Sequence, residues 1–326
     1  MLRRNLLVVA LVAAPALAAC LPASQAEPVK SKPASAATTQ QQTPPPSPTA
    51  TPTPEPVRVP KHTRSFKDGG SYGMGMPVSL TFSKPVPNQK EVRQAIKVTS
   101  DAGQEVRGYW FSAYRLDFRP ESYWIAGSSI TVEGLGDKPM TFKIARQQIA
   151  TVDAATKTMT VKRDGQTIRT IPITAGSAKN PTYNGDLVIS EKAEKVHMDG
   201  KTVGLFKEEV DENGVKRPVL DAEGKPVPAY DIEDVPHAMR LSKSGTFIHG
   251  NYWQPKSVFG KANTSAGCIG LPDVKPGAAG EDTIAKWFYE NSMVGDVVRV
   301  VNSPDGVIKP DNGLNSWNLE WSQWMK

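Results

Sequence analysis

Short segments in which apolar and polar residues alternate recur after residue 57, and they restrict the fold more than any other feature of the sequence. A period of two is expected of strands that bury one face and expose the other. Such segments, together with short aromatic-rich runs, lie at residues 78–82, 109–111, 115–118 and 130–133. Residues that favour turns separate them, and many short strands at this spacing predict a β-sandwich over residues 57–147.

A second, β-rich domain is predicted over residues 148–301. Asp164-Gly165 lies between two alternating segments, which strongly indicates a hairpin with a type I′ turn. Residues 207–228 are polar and rich in turn-forming residues, and they predict a surface hairpin or flap. Apolar residues with helical spacing in 281–291 predict one helix packed on a sheet. The predicted fold class is therefore mainly β, with one or two short helices in the second domain.

The first residues have the features of a secretory leader. Two arginines precede an apolar stretch of residues 6–19, which is shorter than the roughly 20 residues of a membrane-spanning helix. The sequence Leu-Ala-Ala-Cys at 17–20 is similar to a bacterial lipobox. We expect a signal peptide over residues 1–19 and a lipid anchor on Cys20, which would bind the protein to a membrane without a spanning helix. The alternative is an ordinary signal peptide with a chance cysteine.

Residues 20–56 form a Pro/Thr-rich stretch without apolar periodicity, and they predict an extended, disordered tether. At about 3 Å per residue, such a tether would reach on the order of 100 Å. It could carry a domain from the membrane towards a distant layer, or it could be a passive linker.

Composition limits the classes of partner. The chain has two cysteines, so lipidation of Cys20 would leave Cys268 without an intrachain disulfide partner. The formal net charge is +6, and removal of the two leader arginines leaves +4. No basic helix or basic–aromatic pattern indicates nucleic-acid binding. Four histidines without close ligand spacing do not indicate a metal site, and we expect a monomer without cofactors.

Cys268 and His249 are the candidate nucleophile and base. A thiolate is the reactive form of cysteine, and a free thiol with a pKa of about 8.5 needs a base near neutral pH. Fifteen residues separate His249 from Ser265, and Cys268 follows three positions later. Gly267 and Gly270 surround the cysteine, so the backbone there can turn sharply and approach a substrate closely. A cysteine and a distant histidine in this arrangement predict covalent catalysis.

This stretch resembles the catalytic motif of the L,D-transpeptidase (YkuD) family, in which a histidine precedes Ser/Thr-His-Gly-Cys by about 14–17 residues. The resemblance implies that Cys268 is the nucleophile, that His249 is the base, and that the carbonyl of Gly250 orients the imidazole. It also implies that backbone N–H groups of Gly267 and Cys268 bind the oxyanion. The second histidine of the motif is replaced by Ala266, and an asparagine common two residues after the cysteine is replaced by Gly270.

The segments at 71–86 and 118–124 resemble the immunoglobulin-like domain of mycobacterial-type L,D-transpeptidases, which implies a spacer domain. Met198 and Tyr230 resemble cleft residues of the family, although Tyr230 could equally pack on a sheet edge. Tyr252 and Trp253 follow His249 and could contact substrate or belong to the core. Ser265 could support its loop or polarise the thiol.

The resemblance implies an envelope enzyme, anchored on the outer face of the cytoplasmic membrane and extending into the cell wall. It would join peptidoglycan stem peptides through 3→3 cross-links, and carbapenems would acylate its cysteine. Because Ala266 replaces the motif histidine, two alternatives remain: an L,D-carboxypeptidase, and a weak or inactive peptidoglycan-binding module.

Other candidate residues have simpler interpretations. His197 and His237 are weaker candidates for the base, because neither is followed by a Gly-rich loop leading to the cysteine. Arg240 could bind a substrate carboxylate or simply be exposed on a strand, and Asp273 is predicted to be a cap or turn residue. Three tryptophans in the tail, residues 302–326, have helical spacing; they could stack on glycans, or they could pack across the catalytic domain, which we favour.

Overall fold

The alternating segments of the first domain form strands where their pattern predicts them. The computed structural model describes residues 57–280 and 282–325, so the predicted signal peptide, lipidated Cys20 and tether lie outside the described residues. The strands of this domain are β1 (His62–Arg64), β2 (Ser71–Gly73), β3 (Val78–Phe82), β4 (Lys97–Ser100), β5 (Val106–Ser112), β6 (Arg115–Pro120), β7 (Ser129–Glu133) and β8 (Met140–Arg146).

These strands form two four-stranded sheets with the orders β1-β3-β6-β5 and β2-β8-β7-β4. Side chains from both sheets meet in one apolar core that includes Leu80, Leu116, Ile130 and Phe142. Burial alternates along β7 as the sequence pattern requires, with Ile130 and Val132 fully buried. The predicted β-sandwich is therefore confirmed.

The first domain also contains one short helix, α1 (Gln89–Ala95). The Asn88–Glu91 spacing predicts a capping box at its start. That detail is wrong, because Asn88 is the N-cap residue but its side chain makes no capping hydrogen bond. The helix is held instead by its tertiary contacts, including the fully buried Val92.

The second domain contains two further sheets. Its strands are β9 (Gln148–Asp153), β10 (Thr158–Arg163), β11 (Gln166–Pro172), β12 (Gly185–Val188), β13 (Glu191–Asp199), β14 (Glu208–Val210), β15 (Lys216–Pro218), β16 (Asp231–Arg240), β17 (Phe247–Asn251), β18 (Ile269–Pro272) and β19 (Val297–Val301). The sheet orders are β11-β10-β9-β19-β12 and β13-β16-β17-β18. Apolar side chains of both sheets share one core, so the predicted mainly β fold is confirmed.

Local sequence explains several details of this domain. The β10–β11 hairpin turns at Asp164 and Gly165, both of which have positive φ, as a type I′ turn requires. Helix α2 (Ile284–Glu290) begins at Thr283, whose side chain accepts a hydrogen bond from the Lys286 N–H. Strands β14 and β15 pair as a two-stranded ribbon, so the segment 207–228 is the surface hairpin that its composition predicts.

The C-terminal tail contacts both domains. It contains the short helix α3 (Trp321–Trp324), and the ring centroids of Trp317, Trp321 and Trp324 lie 4.9, 5.3 and 4.3 Å from the Arg119 guanidinium. The predicted packing of these rings across the catalytic domain is therefore wrong, because Arg119 belongs to β6 of the sandwich. The tail reaches the catalytic domain through Asn318, whose amide bonds to the backbone N–H and carbonyl of Asp186.

Within the part of the chain that the structure describes, no helix has the length and apolar character needed to cross a membrane.

Candidate active site

The parallel pairing of β17 with β18 places the two candidate catalytic residues on one sheet face. The register pairs Ile248 with Ile269 and His249 with Gly270. Ile248 and Ile269 point into the core between the sheets. Since side chains alternate along a strand, His249 points to the opposite face, and the same alternation would place Cys268, which directly precedes β18, on that face. Gly270, directly across from His249, has no side chain that would separate the imidazole from the thiol.

The His249 ring is fixed by its own backbone neighbourhood. Its Nδ1 lies 2.8 Å from the carbonyl oxygen of Gly250. A carbonyl can only accept, so Nδ1 carries the proton and Nε2 of the neutral ring is left as a proton acceptor. The Trp253 ring stacks on the imidazole with a centroid distance of 5.6 Å, and His249 is only 3% exposed. Burial lowers the pKa of His249 to about 4, although the hydrogen bond to Gly250 and the charge of Asp273 act in the opposite direction.

Gly250 lies against a buried carboxylate. A Cβ on Gly250 would sit 1.8 Å from Oδ2 of Asp273, so no other residue fits without moving this carboxylate. Oδ2 of Asp273 also accepts a hydrogen bond from His237 Nδ1 at 2.7 Å, and Oδ1 accepts one from Thr283 Oγ1 at 2.7 Å. Asp273 does accept from the next backbone N–H, at Val274, as a turn residue would. Its burial and its contact with Gly250 are features that its sequence context did not indicate.

The Cys268 thiol lies against a backbone carbonyl. Its Sγ donates to the carbonyl of Gly245 at 3.6 Å. Burial raises the pKa of the thiol to about 11, although a hydrogen bond from the backbone of Phe247 acts in the opposite direction. Among the described residues, no hydrogen bond joins Sγ to the imidazole. The raised pKa of the thiol and the lowered pKa of the imidazole both favour the neutral forms of these two groups at neutral pH.

Ser265 stabilises the turn that carries the cysteine. Its Oγ donates to the Cys268 carbonyl at 2.6 Å and accepts from the Gly267 N–H at 3.2 Å. Loop support is therefore the role of Ser265 that these contacts favour. Gly267 has a φ of +112°, which favours glycine. The Gly267 N–H is bonded to Ser265 Oγ in this conformation, and its expected oxyanion role stays a prediction.

A cavity of about 300 Å³ opens beside this turn. Its lining includes Ala266, Gly267, Gly245 and Tyr230, so it adjoins the carbonyl to which the thiol is bonded. Burial, followed by the charge of Cys268, raises the pKa of Tyr230 to about 12, which keeps its hydroxyl a hydrogen-bond donor at neutral pH. Tyr230 therefore lies at the cavity rather than only at a sheet edge.

The other predicted substrate contacts do not line this cavity. Met198 pairs with Ile232 across β13 and β16. Trp253 covers His249, and the Tyr252 hydroxyl donates to the carbonyl of Glu233. Of the predicted substrate-binding residues, the structure thus brings Tyr230 to the cavity, while Ser265 braces its wall.

Comparison with known proteins agrees with this geometry. A model of the L,D-transpeptidase catalytic domain (YkuD) matches residues 147–300, and a model of a bacterial immunoglobulin domain matches residues 29–135. Over residues 147–300, the chain belongs to the L,D-transpeptidase family. Its sandwich is accordingly immunoglobulin-like, as the resemblance implied.

Individual L,D-transpeptidases align over most of this chain. L,D-transpeptidase 2 of Mycobacterium tuberculosis is 31% identical over 270 residues, which is 79% of this chain and 59% of that protein. The chain thus spans about three fifths of that relative's length. A solved L,D-transpeptidase in complex with imipenem superposes with a TM-score of 0.59 at 25% identity, covering 74% of this chain and all of the other. An L,D-transpeptidase from Mycobacterium smegmatis gives a TM-score of 0.56 at 26% identity, covering 76% of this chain and all of the other.

The two departures from the L,D-transpeptidase motif have visible structural consequences. Ala266 lines the cavity, so the side chain that the motif histidine would supply there is absent. At Gly270, a Cβ would lie 2.8 Å from Thr174 Cγ2 and 3.0 Å from Asn251 Nδ2. Thr174 and Asn251 therefore occupy the space into which a side chain at position 270 would extend.

The rival residues lie elsewhere in this transpeptidase domain. The exposed His197 pairs with Asp231 at 2.6 Å, and His237 pairs with Asp273. Arg240 pairs with Glu191 at 3.0 Å. In residues 57–280 and 282–325, no group of three or more His, Cys, Asp or Glu side chains is arranged to hold a metal ion.

The raised pKa of the thiol predicts an unusual pH dependence of alkylation. Thiolate is the nucleophile, so the rate at which iodoacetamide modifies Cys268 is expected to keep rising up to about pH 11. In guanidinium-unfolded protein the rate should level off near pH 8.5–9. Mass spectrometry of the peptide that contains Cys268 measures both profiles. Equal midpoints for folded and unfolded protein would contradict the burial of the thiol.

Proposed function

We propose that this chain is a cysteine L,D-transpeptidase that forms 3→3 cross-links between peptidoglycan stem peptides. The observation that supports the proposal is the parallel pairing of His249 with Gly270, two residues after Cys268, together with the hydrogen bond from His249 Nδ1 to the Gly250 carbonyl. This leaves Nε2 as a base on the side of the sheet where the thiol lies. Membership in the L,D-transpeptidase family supports the reaction class.

The first half-reaction acylates the cysteine. Nε2 of His249 takes the thiol proton as Sγ attacks the carbonyl of the L-centre residue that precedes the terminal D-amino acid of a tetrapeptide stem. The oxyanion forms next to the cavity, where the Tyr230 hydroxyl can donate a hydrogen bond. The C–N bond then breaks, the imidazolium protonates the departing D-amino acid, and a thioester remains on Cys268.

The second half-reaction releases the product. The side-chain amine of a diaminopimelate-type residue on a neighbouring stem attacks the thioester carbonyl, and His249 accepts the proton that the amine loses. The C–S bond breaks, and the thiolate is reprotonated by the imidazolium. No metal or organic cofactor takes part in either step.

Activation must occur when substrate binds. Burial makes both charged forms costly, since it raises the pKa of the thiol and lowers that of the imidazole. A bound peptide that displaces the Gly245 carbonyl from Sγ would release the thiol towards Nε2. The charge of Asp273 favours the imidazolium that then forms.

Ala266 supports two alternative functions. Without the motif imidazole at the cavity, water could replace the amine, which would make the protein an L,D-carboxypeptidase. The neutral thiol is also compatible with a weak or inactive peptidoglycan-binding module.

We further propose that the protein acts in the cell envelope as a monomer. Lipid on Cys20 would hold it on the outer face of the cytoplasmic membrane, and residues 20–56 would let the folded domains reach into the cell wall.

Product analysis distinguishes the three functions. The protein is incubated with a disaccharide-tetrapeptide, with and without an added amine acceptor, and the products are identified by mass. A transpeptidase gives the cross-linked or amine-coupled tripeptide in preference to the free tripeptide. Free tripeptide in both reactions indicates the carboxypeptidase, and unchanged substrate with a folded protein indicates the binding module.

A further inference from the structure

We propose that Lys179 is a specificity-determining residue that binds the C-terminal carboxylate of the donor peptide, and that Glu208 of the flap occupies this site until substrate arrives. The inference deepens the proposed function, because it names the group of the stem peptide that the cavity recognises. It rests on the position of Lys179, on its present partner, and on the charges around the cavity.

Lys179 is held close to the nucleophile by the backbone. The segment before it pairs with the cysteine turn, since Ser177 N–H donates to the Ser265 carbonyl at 2.9 Å and Ser265 N–H donates to the Ala175 carbonyl at 3.1 Å. Lys179 follows Ser177 by two residues, in a turn closed by Asn180 N–H on the Ser177 carbonyl at 3.1 Å. The lysine is thus tied to the turn that ends at Cys268.

Among the described residues, Lys179 is the one lysine or arginine in the cavity lining. The same lining contains Ala266 and Gly267, the two residues that precede the cysteine. A peptide whose scissile carbonyl is at Sγ has its terminal carboxylate one residue further on. An ammonium group on a flexible four-carbon stem at the rim of this cavity can reach such a carboxylate.

Lys179 already forms an ion pair with a carboxylate in the structure. Nζ of Lys179 lies 2.5 Å from Oε2 of Glu208, in the first strand of the β14–β15 ribbon. The pair lowers the pKa of Glu208, so the flap presents an ionised carboxylate at neutral pH. Glu208 therefore stands in for the chemical group that we assign to the substrate.

The remaining charges are compatible with this assignment. Asp305 is the acidic residue of the cavity lining among the described residues, and its Oδ1 is bonded to the Gly306 N–H at 2.7 Å. A second cavity adjoins this one, and the linings of both include Asp305, Tyr183 and Ser244. Lys216 lies 4.0 Å from the same Oε2 of Glu208 but does not line the cavity. Glu208 can therefore move from Lys179 to Lys216 when substrate takes its place.

Equilibrium binding tests the assignment without turnover. The full chain with Cys268→Ala is titrated calorimetrically with a tetrapeptide stem as the free acid and as the C-terminal amide. The acid is expected to bind roughly tenfold more tightly, as a charge-assisted contact at a partly exposed site would give. Lys179→Met should reduce this ratio to about twofold or less, whereas Lys225→Met, on the same flap but outside the cavity lining, should leave it unchanged.

The flap contact gives a second, independent readout. Glu208→Gln is expected to tighten binding of the acid about threefold and to leave the amide unaffected, and Lys179→Met should abolish this gain. An acid-to-amide ratio near one with Lys179 present, or a ratio that survives Lys179→Met, would overturn the inference. If the ratio behaves as expected while wild-type protein gives no transpeptidation product, the carboxylate site stands and the proposed function fails.

Discussion

We expect imipenem to acylate the wild-type protein, and Cys268→Ser is expected to abolish this covalent adduct. A serine hydroxyl has nearly the shape of the thiol but is far less acidic, and nothing at this partly buried position lowers its pKa. Acylation should therefore fall below detection in an intact-protein mass measurement, and tetrapeptide turnover should be lost as well.

The substitution is small enough for the fold to be checked alongside. Cys268 contacts the Gly245 carbonyl through Sγ, and serine can donate to the same carbonyl. The thermal midpoint should therefore change little. Retention of the adduct in the serine variant would show that another residue is acylated, and the assignment of the nucleophile would be wrong.

His249→Ala is expected to slow acylation by about 10²-fold or more, because the thiol then has no base to accept its proton. The loss should be largest near neutral pH and should shrink as the pH rises towards the thiol pKa of about 11, where solvent can deprotonate the sulfur. Stopped-flow or quenched measurements of imipenem acylation over pH 6–10 give both values.

His197→Ala is the matched control for this prediction. His197 is also hydrogen-bonded to a polar partner, but it is exposed and its partner is Asp231. Acylation by this variant should equal that of the wild type. A His249→Ala rate within about threefold of wild type across the whole pH range would exclude His249 as the base.

The sequence predicted the fold well where local patterns decide the structure. The period of two predicted β3 and β7, and the Asp164-Gly165 pair predicted a turn whose two residues both have positive φ. Contacts between segments that are distant in the sequence could not be predicted from local patterns. The tail tryptophans have helical spacing, but only the folded chain shows that they surround Arg119 of the sandwich. The predicted capping box at Asn88 is wrong because a short polar side chain can match the sequence motif without forming the capping hydrogen bond.

In the candidate site, too, local spacing predicted some features, whereas others depend on tertiary packing. The spacing of His249 and Cys268 indicated a catalytic pair, and the parallel register explains why such spacing brings them to one sheet face. Asp273 was assigned only a turn role, because its burial against Gly250 depends on the packing of helix α2 and β18. No local pattern indicated the Lys179–Glu208 pair, since 29 positions separate the two residues and the flap brings them together. The Gly267 oxyanion role followed from the family motif, which carries no information on the bond between its N–H and Ser265.

Trapping of the acyl-enzyme tests the central claim most directly. The wild-type protein is mixed with a tetrapeptide donor in the absence of an amine acceptor, quenched with acid, and digested for peptide mapping by mass. The peptide containing Cys268 is expected to gain the mass of the donor without its terminal D-amino acid, and hydroxylamine should remove this group as it does from a thioester. Donor cleavage without this adduct, or with the acyl group on another residue, would contradict the account.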